Sequence, residues 1–184
     1  MHPECMNFLD ASLRDHAKGD TPWRVLEFGS RNVNGSPREL FGNFGVRYVG
    51  VDIEDGPGVD IVDDAARCLI REQAFDVVIC AEVAEHTPDW ALIVENAYRH
   101  LAAAGLFLFT AACDPRPPHS AVDGHNMEPG EFNDTWPGPR GRETFEYYRN
   151  IDPNELAGVL ANAGFHDIKV RTLPRGDVQA SAIR

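Results

Sequence analysis

The sequence predicts a single α/β domain built on a doubly wound sheet. Three observations predict it. Segments that read as strands alternate with helical ones along the chain. The runs Val77–Cys80 (VVIC) and Leu106–Phe109 (LFLF) are short and wholly apolar, as strands buried on both faces must be. The 184 residues, 43% hydrophobic and 25% charged, fill one such domain and leave no room for a second catalytic one.

Taken in order, residues 1–20 form an N-terminal segment in which Asn7–Lys18 reads as an amphipathic helix. Strand Arg24–Phe28 is followed by a helix at Pro37–Phe44, strand Arg47–Asp52 by a helix at Asp64–Glu72, and strand Phe75–Ala81 by a helix at Trp90–Ala103. In the last of these Asp89 is placed to cap the first turn, Leu92, Ile93, Ala97 and Leu101 recur at helical spacing, and Gly105 lies just beyond the end. Strand Leu106–Ala111 leads into a long interruption, residues 113–150, rich in Pro, Gly, His and aromatic residues. Loops of that length inside a compact domain are functional lids or disordered, and a lid over the substrate is expected here. Pro153–Ala163 reads as the final helix, with Asp152 as N-cap, Leu156, Val159 and Leu160 on one face, and Gly164 as terminator. Strands Phe165–Thr172 and Val178–Ile183 complete the chain, which shows no internal repeat.

The net charge of −12 disfavours unspecific binding to nucleic-acid phosphates or anionic membrane. Cys5, Cys68, Cys80 and Cys113 are scattered, without a CxxC pair or a neighbouring His at zinc-ligand spacing, and read as reduced thiols. No basic segment precedes an apolar run at the N-terminus, and nowhere do about 18 apolar residues follow one another. A cytoplasmic protein is the expectation.

Candidate site residues gather at strand ends. The segment Val25–Gly35 (VLEFGSRNVNG) is a strand ending in an acid, followed by a turn with two glycines. At the carboxyl end of a parallel strand such a turn faces the ligand crevice, where Gly29 would let a ligand approach the backbone. The G-x-G-x-x-G spacing of dinucleotide sites is absent, and the Glu27 carboxylate would repel a pyrophosphate while favouring a cationic group such as an ammonium. The competing reading of Glu27 is a solvated strand-end acid. Asp52, at the tip of Tyr48–Ile53 (YVGVDI), can accept hydrogen bonds from both hydroxyls of a ribose. In Gly58–Ala66 (GVDIVDDAA), Asp63 and Asp64 either cap a helix or, for Asp64, accept from an adenine amino group, with the Ala65 amide facing a ring nitrogen. Phe75–His86 (FDVVICAEVAEH) carries a buried strand into a loop bearing Glu82, Glu85 and His86.

In that order, E-F-G-x-x-x-x-x-G, V-G-V-D, V-D-x-x-D-D-A, F-D-V-V-x-x-x-E-V-x-E-H and A-G-F resemble the class I S-adenosylmethionine-dependent methyltransferases, particularly the small type 11 and type 12 members, from Arg24 to the C-terminus. The resemblance implies a Rossmann-like, mainly parallel seven-stranded sheet with one antiparallel strand near the C-terminus, here Val178–Ile183. It also implies that Glu27, Gly29, Asp52 and Asp64 surround S-adenosylmethionine, with Ser30, Gly35, Ile53, Ala65, Ala81 and Glu82 beside them. Two departures stand out. The first loop holds only Gly29 and Gly35 where many relatives have three glycines, and the usual K-P-G-G is reduced to Ala103, Ala104 and Gly105.

A sulfonium is already an activated methyl donor, so transfer needs chiefly alignment of a nucleophile, sometimes with a base. His86, His119 and His125 are the base candidates, with packing or loop roles as the competing readings. Trp136, Tyr147 and Tyr148 offer aromatic surface for an acceptor. His119, His125 and Asp123 share no evident rigid face, so no metal is expected. The leading reading is methyl transfer to an oxygen or nitrogen of a small molecule. The alternatives are a nicotinamide-dependent oxidoreductase and a non-catalytic protein that keeps the nucleoside pocket. A nucleic-acid acceptor is disfavoured by the charge and by Ala81-Glu82-Val83-Ala84 standing where base-amino methyltransferases carry an Asn-Pro-Pro-Tyr loop.

Overall fold

A computed structural model describes residues 3–16, 23–42, 46–70, 75–133 and 146–184. Its strands are β1 (Arg24–Phe28), β2 (Arg47–Asp52), β3 (Ile61–Val62), β4 (Phe75–Ala81), β5 (Leu101–Ala112), β6 (Phe132–Asn133), β7 (Glu146–Tyr147), β8 (His166–Leu173) and β9 (Asp177–Ile183). The α-helices are α1 (Pro3–His16), α2 (Trp90–His100) and α3 (Pro153–Ala163). Seven strands form one sheet in the order β3-β2-β1-β4-β5-β9-β8, while β6 and β7 pair separately. All neighbours from β3 to β5 are parallel, and β9 runs against both β5 and β8. This is the Rossmann-like sheet with its single reversed strand near the C-terminus.

Side chains alternate across the sheet with a period of two, and each face buries its own core. Leu26, Phe28, Val78, Cys80, Phe107 and Phe109 pack with α2 and α3 through Ile93, Val94, Ala97, Leu156 and Leu160. On the other face Val25, Val77, Ile79, Leu106 and Leu108 meet Cys5, Phe8, Leu9 and Leu13 of α1. Helix α3 has the predicted ends: the Asp152 side chain accepts from the amides of Asn154 and Glu155, and Gly164 takes the left-handed conformation at φ 105°.

Strand and helix do not alternate throughout, however. The helix expected at Pro37–Phe44 is a 3₁₀ turn over Pro37–Phe41, capped by the Ser36 side chain. At Asp64–Glu72 the described residues form a turn and no helix. Helix α2 draws this segment's groups to itself: the Ile70 amide, which a helix would donate to the Ala66 carbonyl, donates to His100 Nε2 at 3.2 Å, and the Asn96 side-chain amide donates to the carbonyls of Ala65 and Cys68. Helix α2 itself stops at His100 because Leu101 already pairs with Phe75 of β4. Gly105 is therefore a residue of β5, and the positive φ of this corner falls on Ala104 (58°). Asp89 does not cap α2, since its carboxylate accepts from Arg67 Nη1 at 2.9 Å, and Leu92 is exposed on the helix surface.

Within residues 113–150 the described parts are tied to the body. The backbone amides of Arg149 and Ile151 donate to the carbonyls of Glu85 and Ala112. The Glu146 carboxylate accepts from Ser120 Oγ at 2.8 Å and the Ala121 amide at 2.9 Å, which holds the turn around His119 against β7. Trp136 lies outside the described residues. None of the described helices is long and apolar enough to cross a membrane.

Candidate active site

The loops leaving the carboxyl ends of β1, β2, β3 and β4 meet the 113–133 segment around one crevice of about 550 Å³, within the usual range for a small-molecule site. Glu27, Gly29, Ser30, Gly35, Asp52, Ile53, Asp64, Ala65, Ala81 and Glu82 all line it, together with His86 and His119. Acids placed at successive strand ends converge because parallel strands end on the same edge of the sheet.

At one side, Glu27 is 3% exposed and its Oε2 accepts from the Tyr48 hydroxyl at 2.8 Å. Burial pushes its carboxyl up to about 7, against the opposing effects of that hydrogen bond and of Arg38, whose guanidinium stacks 4.5 Å above the Tyr48 ring. Gly29 adopts φ 77°, and a Cβ there would stand 2.0 Å from Val83 Cγ2. The missing side chain thus makes room for the β4 loop, where a ligand's approach was anticipated. Ser30 is buried, and its Oγ has no hydrogen-bond partner among the described residues. Asp52 accepts the Arg31 amide on Oδ2 and the Glu54 amide on Oδ1, both at 3.0 Å, leaving each oxygen a further lone pair. Asp64 is anchored similarly by the Ala66 amide at 2.8 Å and Arg67 Nη1 at 2.7 Å.

The opposite side of the crevice is built by the turn after β4. Glu82, at φ 58°, accepts from Thr110 Oγ1 at 2.9 Å and approaches Arg116 at 3.5 Å. Glu85 is completely buried: its Oε1 accepts the Ala112 amide at 3.1 Å and lies 3.9 Å from His119 Nε2. Burial, reinforced by the negative charge of Glu82, drives the Glu85 carboxyl well above the usual carboxylate range. The rings of His86 and His119 meet edge to face at 5.0 Å, and Tyr148 closes on both, at 5.6 and 5.1 Å. Glu85, His86 and His119 are the described residues whose grouping could hold a metal ion.

Other anticipated residues fall elsewhere. His125 is exposed, pairs with Asp123 at 2.6 Å and does not line the crevice. Tyr147 and Tyr148 are buried, and neither presents its ring as a wall of the crevice. Conversely, Tyr48, Arg38 and Arg116 shape the site and escaped sequence reasoning. Only the Y-V-G-V-D spacing, which sets Tyr48 across from the first strand, hinted at any of them.

A profile described as "Methyltransferase domain" matches residues 4–170. Sequence relatives include the ubiquinone biosynthesis O-methyltransferase of Ralstonia nicotianae, 32% identical over 124 residues that make up 66% of this chain and 49% of that protein. The corresponding protein of Hahella chejuensis is 29% identical over 181 residues, 89% of this chain and 69% of that one. The chain thus spans about half the length of the first of these relatives. Among solved structures, the 1,6-didemethyltoxoflavin-N1-methyltransferase of Burkholderia thailandensis, with bound 1,6-didemethyltoxoflavin and S-adenosylhomocysteine, shares the fold with a TM-score of 0.67. It is 19% identical, and the match covers 98% of this chain and 78% of that one.

Proposed function

The chain belongs to the methyltransferase-domain family, and from that premise we propose that it transfers a methyl group from S-adenosylmethionine to an oxygen or nitrogen of a small molecule. The convergence of Glu27, Asp52 and Asp64 on one crevice carries this reading. The residues fit the cofactor. A carboxylate whose charge is disfavoured by burial gains most from a cationic partner, which suits Glu27 to the methionine ammonium. Ser30 Oγ, buried and without a hydrogen-bond partner among the described residues, offers a donor in the same crevice. Asp52 retains acceptor capacity for the ribose hydroxyls, and Asp64 with Ala65 would border the adenine.

Bound there, the cofactor supplies a methyl group on a positively charged sulfur. The protein's own task is then to align an acceptor, exclude water and take up a proton. His86 and His119 border the crevice and are the groups suited to hold that proton. Residues 113–150 would act as the cover over the acceptor. The names of the O-methyltransferase relatives favour oxygen as the acceptor atom, and the net charge of −12 disfavours nucleic acid. Four buried free cysteines suit a reducing compartment such as the cytoplasm.

Calorimetry tests the first half of the reading. S-adenosylhomocysteine should bind to the wild type, Asp52→Ala should bind at least about tenfold more weakly through loss of charge-assisted hydrogen bonds, and NAD should not bind. Undiminished binding by the variant would count against the assignment.

A further inference from the structure

The geometry points to a divalent transition-metal site formed by Glu85, His86 and His119. Their ligand atoms lie within 4.8 Å of one another, and the Glu85 Oε1 to His119 Nε2 distance is 3.9 Å. Ligands bound at about 2.0–2.1 Å stand roughly 3 Å apart, so side-chain adjustments of about an ångström close the set around an ion.

A second observation is independent of the grouping. Glu85 Oε2 is fully buried and has no hydrogen-bond partner among the described residues. His119 Nε2, 3.9 Å from the other Glu85 oxygen, stands beyond hydrogen-bond distance of it. A cation satisfies the oxygen in one step.

The donor set selects the class of ion. One carboxylate and two imidazoles, with room left on the crevice side, is the composition of open zinc sites, whereas calcium and magnesium seek oxygen ligands throughout. The site is also supported from behind. Tyr148 packs against both imidazoles, and the Arg149 amide holds the Glu85 carbonyl. His86 and His119 line the crevice, so the open coordination positions face the space in which an acceptor would sit. On the methyl-transfer reading, from which this last step follows, a metal there would replace His86 and His119 as the group that eases loss of the acceptor proton, by binding an acceptor hydroxyl and lowering its pKa, and the acceptor class becomes hydroxyl-bearing small molecules.

Titration of the chelator-treated full chain tests the site, using Co²⁺ followed by visible absorption and Zn²⁺ followed by calorimetry. The wild type should bind one ion per chain. Glu85→Gln and His119→Ala should each weaken binding by at least about 100-fold, since even outer partners of a metal ligand cost 10–100-fold. Circular dichroism identifies a variant that fails to fold. His119 stands on the covering segment and not in the core, so its variant keeps the test decisive if Glu85→Gln unfolds. No saturable binding by the wild type, binding of Mg²⁺ alone, or unchanged affinity in His119→Ala overturns the site. S-adenosylhomocysteine binding by the same metal-free wild type reports separately on the cofactor reading.

Discussion

Glu27 is the residue proposed to meet the cofactor's ammonium, and its raised pKa makes it testable at the scale of one residue. The folded chain keeps the Glu27 proton up to about pH 7, whereas the unfolded chain releases it near 4.5. Between those values the native state binds more protons than the unfolded one, so stability falls as pH rises and levels off above about 7. Glu27→Gln removes that slope. Its stability relative to wild type should climb by up to about 3 kcal/mol between the two pKa values, measured as the difference of denaturant midpoints across pH. A flat difference would mean that Glu27 is ionised in the folded chain. The same residue predicts a proton signature. A cationic ligand favours the ionised form, so S-adenosylmethionine binding near pH 6 should release a proton, seen as a dependence of the calorimetric heat on buffer ionisation enthalpy. Glu27→Gln should abolish it.

At the scale of elements, what is legible in the sequence is what local chemistry decides. Helix α3 is announced by Asp152, Pro153 and Gly164, which together fix both ends, and Asp152→Ala should cost about 1 kcal/mol in chemical denaturation. Strands β4 and β5 are legible because double-sided burial demands unbroken apolar runs. The absent helix after β3 is not legible, because His100, from a distant element, takes the Ile70 amide that the helix would use. The end of α2 hides for a similar reason: Leu101 belongs to the strand it pairs with, not to the helix whose spacing it continues. The acids at the strand tips are readable since parallel topology brings them to one edge. The meeting of Glu85 and His119 is not, because it depends on how the 113–133 segment folds back. Gly29 is a mixed case. The sequence marks it as important, yet the reason is steric contact with Val83 combined with a positive φ. Gly29→Ala should therefore destabilise by about 2 kcal/mol or more and also weaken cofactor binding, whereas a purely ligand-facing glycine would affect binding alone.

Over the whole molecule, the strand-end loops of the sheet supply one side of the crevice, proposed above for the cofactor, and the 113–133 segment supplies the other. Glu146 is one fastening of the turn carrying His119: its two oxygens hold Ser120 Oγ and the Ala121 amide, and the Ser120 Oγ in turn accepts the Val122 amide at 3.1 Å. The sheet has no part in these bonds, so losing them should release the turn without unfolding the core. Glu146→Ala is accordingly expected to speed hydrogen exchange at the amides of residues 120–122 by about tenfold or more, as local opening becomes easier, while amides of β4 and β5 exchange as in wild type. Cofactor affinity should change little, because Glu27, Asp52 and Asp64 all stand on the sheet side. Acceptor KM should rise, and any metal affinity contributed by His119 should fall with it. If protection in residues 120–122 stayed at the wild-type level, the covering segment would be held by contacts other than this carboxylate, and the two halves of the crevice would have to be regarded as one unit.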